Sequence, residues 1–394
     1  MSSMRNKLVL ASAAVTLPPL VALGWYGGSR VEAVLRADSL QQLEARVTAL
    51  TAQIERYLAG VDGDLLLLAD TPALAQYLLA SDSGDAALID AARKNLSLAF
   101  VRLSEIRGNY YQIRYFDSSG AERLRVDRDK DATVVVSPDK LETKRSTPDF
   151  TQALKLPKGE VMISPVELNR EKGTLEDTPR PILRYSTSVF DNTSRRRGVL
   201  VIGVAVEPVL KMVAAAPQNG ETLFVVDSGG AYLSHPNPAK LYGSERDMAT
   251  GENLAKDYPE LGPKLLSATD LFTDEGKDVL TLAKPIPIPG VAHGGLGVLI
   301  EQMPTEMVYA KASGLRTVFN WLTLGALMLA VGFGVIVAQW VTGPITTLTE
   351  AVERMSKGDL ESPIESLSDD ETQKLAAAME RLRKSMKLML DKYS

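Results

Sequence analysis

The chain has no cysteine among its 394 residues. This absence excludes disulfide bonds, thiolate catalysis and cysteine-ligated metal sites, and it suits an oxidising compartment such as a bacterial periplasm. Histidine is also scarce, because His235 and His293 are the two residues of this type, and they lie far apart without acidic neighbours at metal-ligand spacing. The sequence therefore predicts no metal site and no cofactor.

An excess of positive charge is missing too, because 49 Asp and Glu residues outnumber 44 Lys and Arg residues and give a net charge of -5. No basic tract or nucleic-acid-binding motif occurs, so nucleic acid is not an expected partner. The sequence also lacks a phosphate-binding loop, a nucleophile elbow and a paired-carboxylate arrangement. We therefore expect that the protein is not an enzyme. An enzymatic function ranks third among the possible functions, because no motif supports it.

Two long apolar runs are present, at residues 8–28 and 318–341. The second carries no charge, is long enough to cross a hydrocarbon core of roughly 30 Å, and has Trp321 and Trp340 at its ends as interface anchors. It predicts a transmembrane helix. The first run is interrupted by Pro18-Pro19, so a cleaved signal peptide is its alternative. No small-residue cleavage site lies near its end, which favours an uncleaved span.

The charges that flank the first run indicate the orientation of the chain. Arg5 and Lys7 favour a cytoplasmic N-terminus at residues 1–7, although Arg30, Lys311 and Arg316 on the other side oppose this weakly. With two spans, residues 29–310 lie in the periplasm and the C-terminal segment lies in the cytoplasm. The predicted location is thus the bacterial inner membrane, as a multi-pass protein in contact with the lipid bilayer.

A helical segment follows the first apolar run. Its apolar side chains recur at alternating spacings of three and four residues, at Leu40, Leu43, Val47, Leu50 and Ile54. Such a stripe is typical of a coiled-coil seam and also of the buried side of one long amphipathic helix packed on its own domain, and a stalk that rises from the membrane can combine the two. Two further helices are predicted before residue 110, each opening near a Thr or Asp cap signal.

The segment 112–127 predicts a β-hairpin that turns at Ser118-Ser119-Gly120. A two-residue loop that pairs Ser118 with Ala121 gives one apolar face. The paired residues on that face are Tyr115 with Leu124 and Ile113 with Val126.

The other face of the same hairpin sets Arg114 directly opposite Arg125. Its further members are Gln112, Phe116 and Arg123. Like charges directly opposite each other on two strands are destabilising. We therefore expect either a structural carboxylate or a ligand between the two arginines.

An internal repeat divides the region after residue 100 into two modules. Residues 115–124 match residues 225–234 at an offset of 110, and residues 198–208 match residues 294–304 at an offset of 96. Two tandem α+β modules follow, a distal one at about 100–210 and a proximal one at about 218–305. At the first offset, Arg114 and Arg125 correspond to Phe224 and His235, so the charged pair belongs to the distal module alone.

The C-terminal segment contains two heptad seams that flank a short polar connector. The apolar seam positions are Ile345, Leu348, Val352 and Met355, and then Leu375, Met379, Leu382, Met386 and Met389. Two helices this short cannot bury their seams alone. The simplest solution is a parallel four-helix bundle formed by a homodimer.

This segment, residues 342–390, resembles a HAMP domain, the linker that follows the last membrane span of bacterial receptors. The matching residues are Pro344 at the start of the first helix, Gly358 with Leu360 and Ile364 in the connector, and Glu371 before the second helix. Gln373 departs from the family, which often has Gly after the acidic pair. The resemblance implies a dimeric signal relay.

Residues 30–310 resemble a double Cache (dCACHE) sensor, as found in chemoreceptors, sensor histidine kinases and diguanylate cyclases. Three segments carry the likeness, at residues 111–126, 161–191 and 224–240. The resemblance implies an α+β fold with a long stalk helix and two tandem PAS-like (Cache) modules, with ligand binding chiefly in the distal one. The amino-acid-binding branch has an Arg-x-Trp pattern, whereas this chain has Arg114-Tyr115-Phe116.

The candidate ligand-binding residues all lie in the distal module. They are Arg114, Arg184, Arg125, Tyr115, Tyr185 and Phe116. Arginine presents a fork of donors that matches carboxylate or phosphate geometry, so the expected ligand is an anionic or zwitterionic small molecule. The alternative is structural neutralisation of the arginines by acidic residues nearby in the sequence, namely Glu122, Asp127, Glu167 and Glu171.

The expected function is a homodimeric receptor that senses an extracytoplasmic small molecule and relays the signal through its HAMP bundle. The alternative is a membrane scaffold that docks a periplasmic protein and recruits a separate cytoplasmic signalling enzyme. The sequence stops after the HAMP-like helices. We therefore expect either a missing output domain or a cytoplasmic signalling partner.

Overall fold

The computed structural model describes residues 4–129, 132–171, 173–176, 179–217, 220–244, 250–288, 295–364 and 371–393. The chain divides into two compact units, one formed by Met1–Asp38 with Tyr309–Ser394 and the other by Ser39–Val308. The second unit contains both predicted sensor modules. His293 lies outside the described residues.

Helices come first in the chain. They are α1 (Met4–Leu58), α2 (Val61–Ala69), α3 (Pro72–Ser83) and α4 (Ala86–Arg107). Leu43, Val47 and Ile54 of the predicted stripe on α1 are buried in the sensor unit. These three positions form the packed side of an amphipathic helix, as the second of the two interpretations predicts.

The predicted cap residues lie at the starts of α3 and α4. The side chain of Thr71 accepts a hydrogen bond from the backbone N–H of Leu74 at the start of α3, where Pro72 occupies the first helical position. Asp85 caps α4 in the same way. Each cap satisfies a backbone donor that the helix itself leaves unpaired.

The distal module is built on a sheet of seven strands, in the order β3-β2-β1-β9-β8-β4, with β5 also paired to β8. The strands are β1 (Tyr110–Asp117), β2 (Glu122–Asp129), β3 (Ala132–Val135), β4 (Met162–Ile163), β5 (Glu167–Leu168), β8 (Pro181–Phe190) and β9 (Arg196–Ala205). Helix α5 (Pro148–Ala153) lies between β3 and β4 in the chain, and β6 (Arg170–Glu171) pairs with β7 (Thr174–Leu175) in a separate ribbon.

The hairpin formed by β1 and β2 has the predicted register along most of its length. Arg114 lies opposite Arg125, Tyr115 opposite Leu124 and Ile113 opposite Val126. This part of the prediction is confirmed, because one buried face fixes the register of a strand pair.

The tip of this hairpin differs from the prediction. The backbone N–H of Asp117 donates to the carbonyl of Ala121, so the loop has three residues and ends at Gly120 with φ 84°. A bulge then sets Phe116 opposite Glu122 and leaves Arg123 as the extra residue. Arg123 points to solvent and pairs with Asp117 at 2.6 Å, so its predicted place on the arginine face is wrong. Glu122 takes that place.

The proximal module has a five-stranded sheet in the order β11-β10-β14-β13-β12. The strands are β10 (Thr222–Val226), β11 (Tyr232–Ser234), β12 (Phe272–Glu275), β13 (Val279–Pro287) and β14 (Gly295–Pro304). Helix α6 (Glu207–Ala215) precedes this sheet, α7 (Leu254–Asp257) and α8 (Gly262–Leu266) lie between β11 and β12, and α9 (Thr305–Val308) follows β14.

The internal repeat is visible in the strand pairing. At the predicted offset of 110, the bulge recurs between Val225 and Val226, and Val226 lies opposite Tyr232 as Phe116 lies opposite Glu122.

The closing strands of the two modules correspond at an offset of 99 and not at the expected 96, because Phe116 pairs with Val199 and Val226 pairs with Val298. Gly198 and Gly297 confirm the new offset. A Cβ on either residue would lie within 2 Å of the backbone oxygen of Phe116 or Val226, respectively.

The other unit contains α10 (Ala310–Ser356) and α11 (Glu371–Tyr393). By length and composition, two helices are long and apolar enough to cross a membrane, one in Asn6–Ser83 near the N-terminus and one at Ala312–Ser356. Pro344 lies inside α10, so the expectation that it begins a new helix is wrong. The proline ring leaves Pro344 without a backbone N–H, so one helical hydrogen bond is missing there, but the helix continues.

The connector after α10 packs on α11. Arg383 of α11 donates to the backbone carbonyl of Leu360, and the N–H of Ile364 donates to Glu380 at 3.1 Å. Leu360 is buried. The apolar connector residues of the HAMP pattern are thus anchored by backbone contacts to the second helix, whereas the acidic pair before Glu371 lies outside the described residues.

Candidate ligand site in the distal module

A cavity of about 150 Å³ lies in the distal module on the face of the sheet that carries Arg114. Its polar lining consists of Arg114, Lys144, Thr147, Glu167, Arg170, Arg184 and Ser186. Its apolar lining consists of Phe116, Phe150, Leu168, Val199 and Val201. The strand register explains the meeting of these side chains, because Val201 pairs with Arg114 on one side and with Ser186 on the other.

Arg114 is the most deeply buried basic group of this cavity, with 6% of its surface exposed. Its Nε donates to Oε1 of Glu122 at 2.5 Å, and its guanidinium lies 5.3 Å from the centre of the Phe116 ring. Its Nη2 lies 3.5 Å from Oε2 of Glu142 but makes no hydrogen bond within the described part of the chain. A buried donor without a partner is costly. This N–H group can therefore donate a hydrogen bond to an acceptor atom of a small molecule.

Arg184 provides a second guanidinium to the same cavity from β8. Its Nη1 donates to Oε2 of Glu167 at 2.7 Å, and its Nη2 donates to the side-chain oxygen of Asn169 at 3.3 Å. The sequence predicted that Arg114, Phe116 and Arg184 line one pocket. The structure brings all three together.

Arg125 lies opposite Arg114 but does not line this cavity. It lines a separate hollow with β3, and its Nε donates to Asp127 at 2.7 Å. Glu142 belongs to the lining of that hollow and also contacts Arg114. The two arginines are therefore directed to different partners, and the expected bridge between them by one ligand is not supported.

Tyr115 and Tyr185 lie on the opposite face of the sheet, toward the helices. The Tyr115 ring packs edge-on against Tyr77 of α3 at 5.9 Å. Burial raises the pKa of Tyr185, and so does the carboxylate of Asp62 in α2. Because neighbouring residues of a strand point to opposite faces, neither tyrosine lies on the cavity face. Tyr115 lies on the apolar face predicted for it, and the expectation that both tyrosines line the ligand site is corrected.

The carboxylates proposed as structural partners have largely taken that role. Glu122 pairs with Arg114, Asp127 with Arg125 and Glu167 with Arg184. The side chain of Glu171 lies outside the described residues. Neutralisation and ligand binding are thus not exclusive here, because Arg114 keeps an unsatisfied donor after pairing.

Nine of the twelve described lining residues were not predicted as ligand-binding residues, and Ser186, Lys144, Thr147 and Phe150 are among them. Ser186 lies two positions after Arg184, so strand alternation alone would have placed it on the same face. Lys144, Thr147 and Phe150 lie between β3 and β4, in a segment whose path across the sheet no local pattern fixes.

The equivalent face of the proximal module is filled. Phe224 and Tyr232 pack edge-to-face at 5.6 Å, and Leu254 and Leu265 complete the same buried cluster. His235 lies beside these rings, where burial lowers its pKa. Among the described residues, no group of three or more His, Asp or Glu side chains is arranged to hold a metal ion.

Comparison with known proteins identifies both predicted regions. The family model "Bacterial histidine kinase, sensor domain" matches residues 37–280, and the HAMP domain model matches residues 336–387. Among curated proteins, no relative matches the chain.

Several solved structures are similar to this chain. The extracellular domain of vpHK1S-Z8, described as a histidine kinase, has a TM-score of 0.59 at 20% identity over 71% of this chain and 96% of that one. A domain of a sensory box/GGDEF family protein from Vibrio parahaemolyticus has a TM-score of 0.58 at 19% identity over 70% and 99% of the two chains. The ligand-binding domain of the Pseudomonas fluorescens chemoreceptor CtaA, solved with L-serine, has a TM-score of 0.43 at 14% identity over 69% and 99%.

The predicted Cache-like α+β fold and the predicted HAMP domain are confirmed by these matches together with the two sheets described above. A sensor domain joined to a HAMP domain is the arrangement of a transmembrane sensor that relays signals. The chain belongs to the family of bacterial histidine kinase sensor domains.

Proposed function

We propose that this protein senses an extracytoplasmic anionic or zwitterionic small molecule in its distal module. The observation that carries the proposal is the buried Arg114, which lines the cavity and whose Nη2 has no hydrogen-bond partner in the described chain. Arg184 and Lys144 line the same cavity. A ligand carboxylate or phosphate oxygen at Arg114 would satisfy the donor and form a charge-assisted hydrogen bond.

In this proposal the membrane topology is the one that the charges predict. Residues 1–7 are cytoplasmic, residues 8–28 and 318–341 span the inner membrane, residues 29–310 form the periplasmic sensor, and residues 342–390 form the cytoplasmic HAMP domain. The continuity of α10 from residue 310 to residue 356 supports this, because one rigid helix carries a displacement from the span into the HAMP segment.

The signal would then pass to a second copy of the chain and to a cytoplasmic output. Several heptad residues of α11 are exposed in the single chain, namely Leu375, Leu382, Met386 and Met389. Pairing of two chains in a four-helix bundle would bury them. A ligand that binds one arrangement of the sensor more tightly shifts the dimer toward it, and an output domain or separate signalling enzyme responds to the shift.

The test is a thermal-shift screen of the full-length protein in lipid nanodiscs against a panel of small organic anions and zwitterions. At least one compound is expected to raise the midpoint of unfolding of the wild type, because a ligand that binds only the folded state stabilises it. Arg114→Gln should abolish this shift.

Arg125→Gln is the matched control for that screen, because Arg125 is the cross-strand partner of Arg114 yet lines the other hollow. This variant should keep the shift. Equal responses of both variants and the wild type to every compound would contradict direct sensing through Arg114.

A further inference from the structure

We infer that the distal cavity takes a small monocarboxylate with a short apolar substituent and without an α-ammonium group. This inference rests on the proposed function, because it names the class of anion within it. It follows from how the charges of the cavity are already compensated, from the division of its lining and from its size.

The compensation of charge favours a single carboxylate. Arg114 is paired with Glu122 at 2.5 Å, and the Nζ of Lys144 lies 3.1 Å from Glu142. Within the described chain, the Nη2 group of Arg114 is the buried donor of this cavity that lacks a hydrogen bond. One carboxylate oxygen satisfies it, whereas a second carboxylate would meet Lys144 and Arg184, whose charges Glu142 and Glu167 already compensate.

The apolar part of the lining favours a hydrocarbon substituent. The rings of Phe116 and Phe150 meet at 6.1 Å, and they form one buried cluster with Val199 and Val201. All four side chains border the cavity. A ligand whose carboxylate reaches Arg114 therefore places the rest of its carbon skeleton on an apolar surface, where burial is favourable.

The polar part of the lining disfavours an ammonium group. Glu167 is the acidic residue among the described lining side chains, and it is hydrogen-bonded to Arg184 at 2.7 Å. An α-ammonium beside the carboxylate would have to compete with Arg184 for the Glu167 carboxylate or lie unpaired near Arg114, Lys144 and Arg184. Both alternatives are unfavourable, since a desolvated charge needs a partner of opposite sign.

The volume of the cavity limits the length of the substituent. Its volume of about 150 Å³ equals that of an engineered protein cavity that holds one benzene molecule. A carboxylate with a branched chain of four carbons or an aromatic ring is therefore near the upper limit. This size agrees with one carboxylate and one compact apolar group.

The test measures binding by the full-length protein in nanodiscs with pairs of probes that share a carbon skeleton. 3-Methylbutanoate and L-valine differ by the α-ammonium group, and butanoate and succinate differ by the second carboxylate. Isothermal titration should give a dissociation constant at least tenfold lower for the monocarboxylate of each pair. Val201→Thr keeps the side-chain shape but replaces a methyl group by a hydroxyl. It should weaken the binding of 3-methylbutanoate several-fold and the binding of acetate much less.

The outcomes separate this inference from the proposed function. Equal or tighter binding of L-valine or succinate, abolished by Arg114→Gln, overturns the monocarboxylate class while the proposed anion sensor stands. No binding by any of the four probes also overturns the class. If no compound of the wider panel shows binding that depends on Arg114, the proposed function fails as well.

Discussion

The distal and proximal modules share one scaffold and differ in what covers the same face of the sheet. In both, an aspartate begins the hairpin turn, a bulge follows at the same position, and a glycine of the closing strand passes close to the first strand. At the hairpin offset of 110, the ion pair of Arg114 with Glu122 corresponds to the aromatic pair of Phe224 with Tyr232. The distal module keeps a cavity there, and the proximal module has a filled core.

This difference shows how one repeated fold holds a cavity in one module and a filled core in the other without a change in the pairing of the first hairpin with its closing strand. Phe224 and Tyr232 pack against each other, and the Tyr232 hydroxyl donates to Asp257, so the proximal face is stabilised by burial with its polar group satisfied. The ion pair of Arg114 leaves a donor unsatisfied, and in the proposed function a ligand completes the distal face. Among the described residues of the proximal module, the buried side-chain polar atom that lacks a hydrogen-bond partner is Oε2 of Glu301, and it lies on the helix-facing side of the sheet.

The largest effect is expected where the two modules are the same. Gly198→Ala and Gly297→Ala each place a methyl group within 2 Å of a backbone oxygen, at positive φ. Each change should lower the free energy of unfolding by about 4 kcal/mol, measured by denaturation of the full-length protein. Gly159→Ala and Gly251→Ala are controls, because both residues have positive φ but open space around them. They should lose about 1 kcal/mol. If Gly198→Ala or Gly297→Ala lowered the free energy of unfolding by only about 1 kcal/mol, the two glycines would not have the equivalent close approach inferred for them.

The next-largest effect is expected on the helix-facing side of the sheet. The two modules differ there, because Glu301 of the proximal module corresponds to Ile202 of the distal module at the offset of 99. Burial raises the pKa of Glu301 to about 7, against the opposing effect of Arg46 and with a small contribution from Glu221. Between its ordinary value of 4.5 and 7, the unfolded chain releases the proton while the folded chain retains it, so stability falls as pH rises.

Relative to Glu301→Gln, the wild type should therefore lose on the order of 3 kcal/mol of stability across that window and change no further above it. Urea unfolding of both proteins at several pH values measures this. Parallel curves for the two proteins would show that Glu301 does not titrate in the window.

A direct exchange of the covering pair tests the comparison next. The double variant Arg114→Phe with Glu122→Tyr introduces the proximal pair into the distal module. Binding of the most stabilising anion should weaken at least 100-fold, which is about 2.7 kcal/mol, while the circular dichroism spectrum stays unchanged. Retained affinity in a folded double variant would mean that the ligand binds elsewhere.

The smallest effect concerns the carboxylate behind Arg114. Glu122→Gln keeps the side-chain shape and one of the two acceptors that Glu122 presents to the Glu142 backbone N–H and to Nε of Arg114, and it removes a negative charge. Anion affinity should rise about threefold, or roughly 0.7 kcal/mol, because less negative charge competes for the guanidinium. Isothermal titration against the wild type decides this, and weaker binding would indicate that Glu122 is needed to orient Arg114.

Residue patterns with a single physical cause were predictable from the sequence. The register of Arg114 with Arg125 follows from the apolar alternation on one face, and the buried stripe of α1 follows from its spacing. The position of Arg123 was not, because the turn at Asp117 and Gly120 inserts a bulge that alternation does not reveal. The closing strands gave an offset of 96 for a similar reason, since apolar strands resemble one another at several shifts.

The candidate site was predictable only in part. Strand alternation brings Arg114, Phe116 and Arg184 to one face, and the same rule should have removed Tyr115 and Tyr185. The separation of Arg125 depends on Glu142, and the outer wall depends on Lys144 and Phe150. These residues come from a long connection between strands, whose path is set by tertiary packing.

Hydrogen–deuterium exchange of the full-length protein in nanodiscs tests the central claim most directly, because it compares both modules in one experiment. It is performed with and without the most stabilising anion of the panel. The account predicts slower exchange in β1, β8, β9 and α5 on ligand addition, with no change in β10 or β11, and no response in Arg114→Gln. Protection confined to the proximal module, or unchanged by Arg114→Gln, would contradict it.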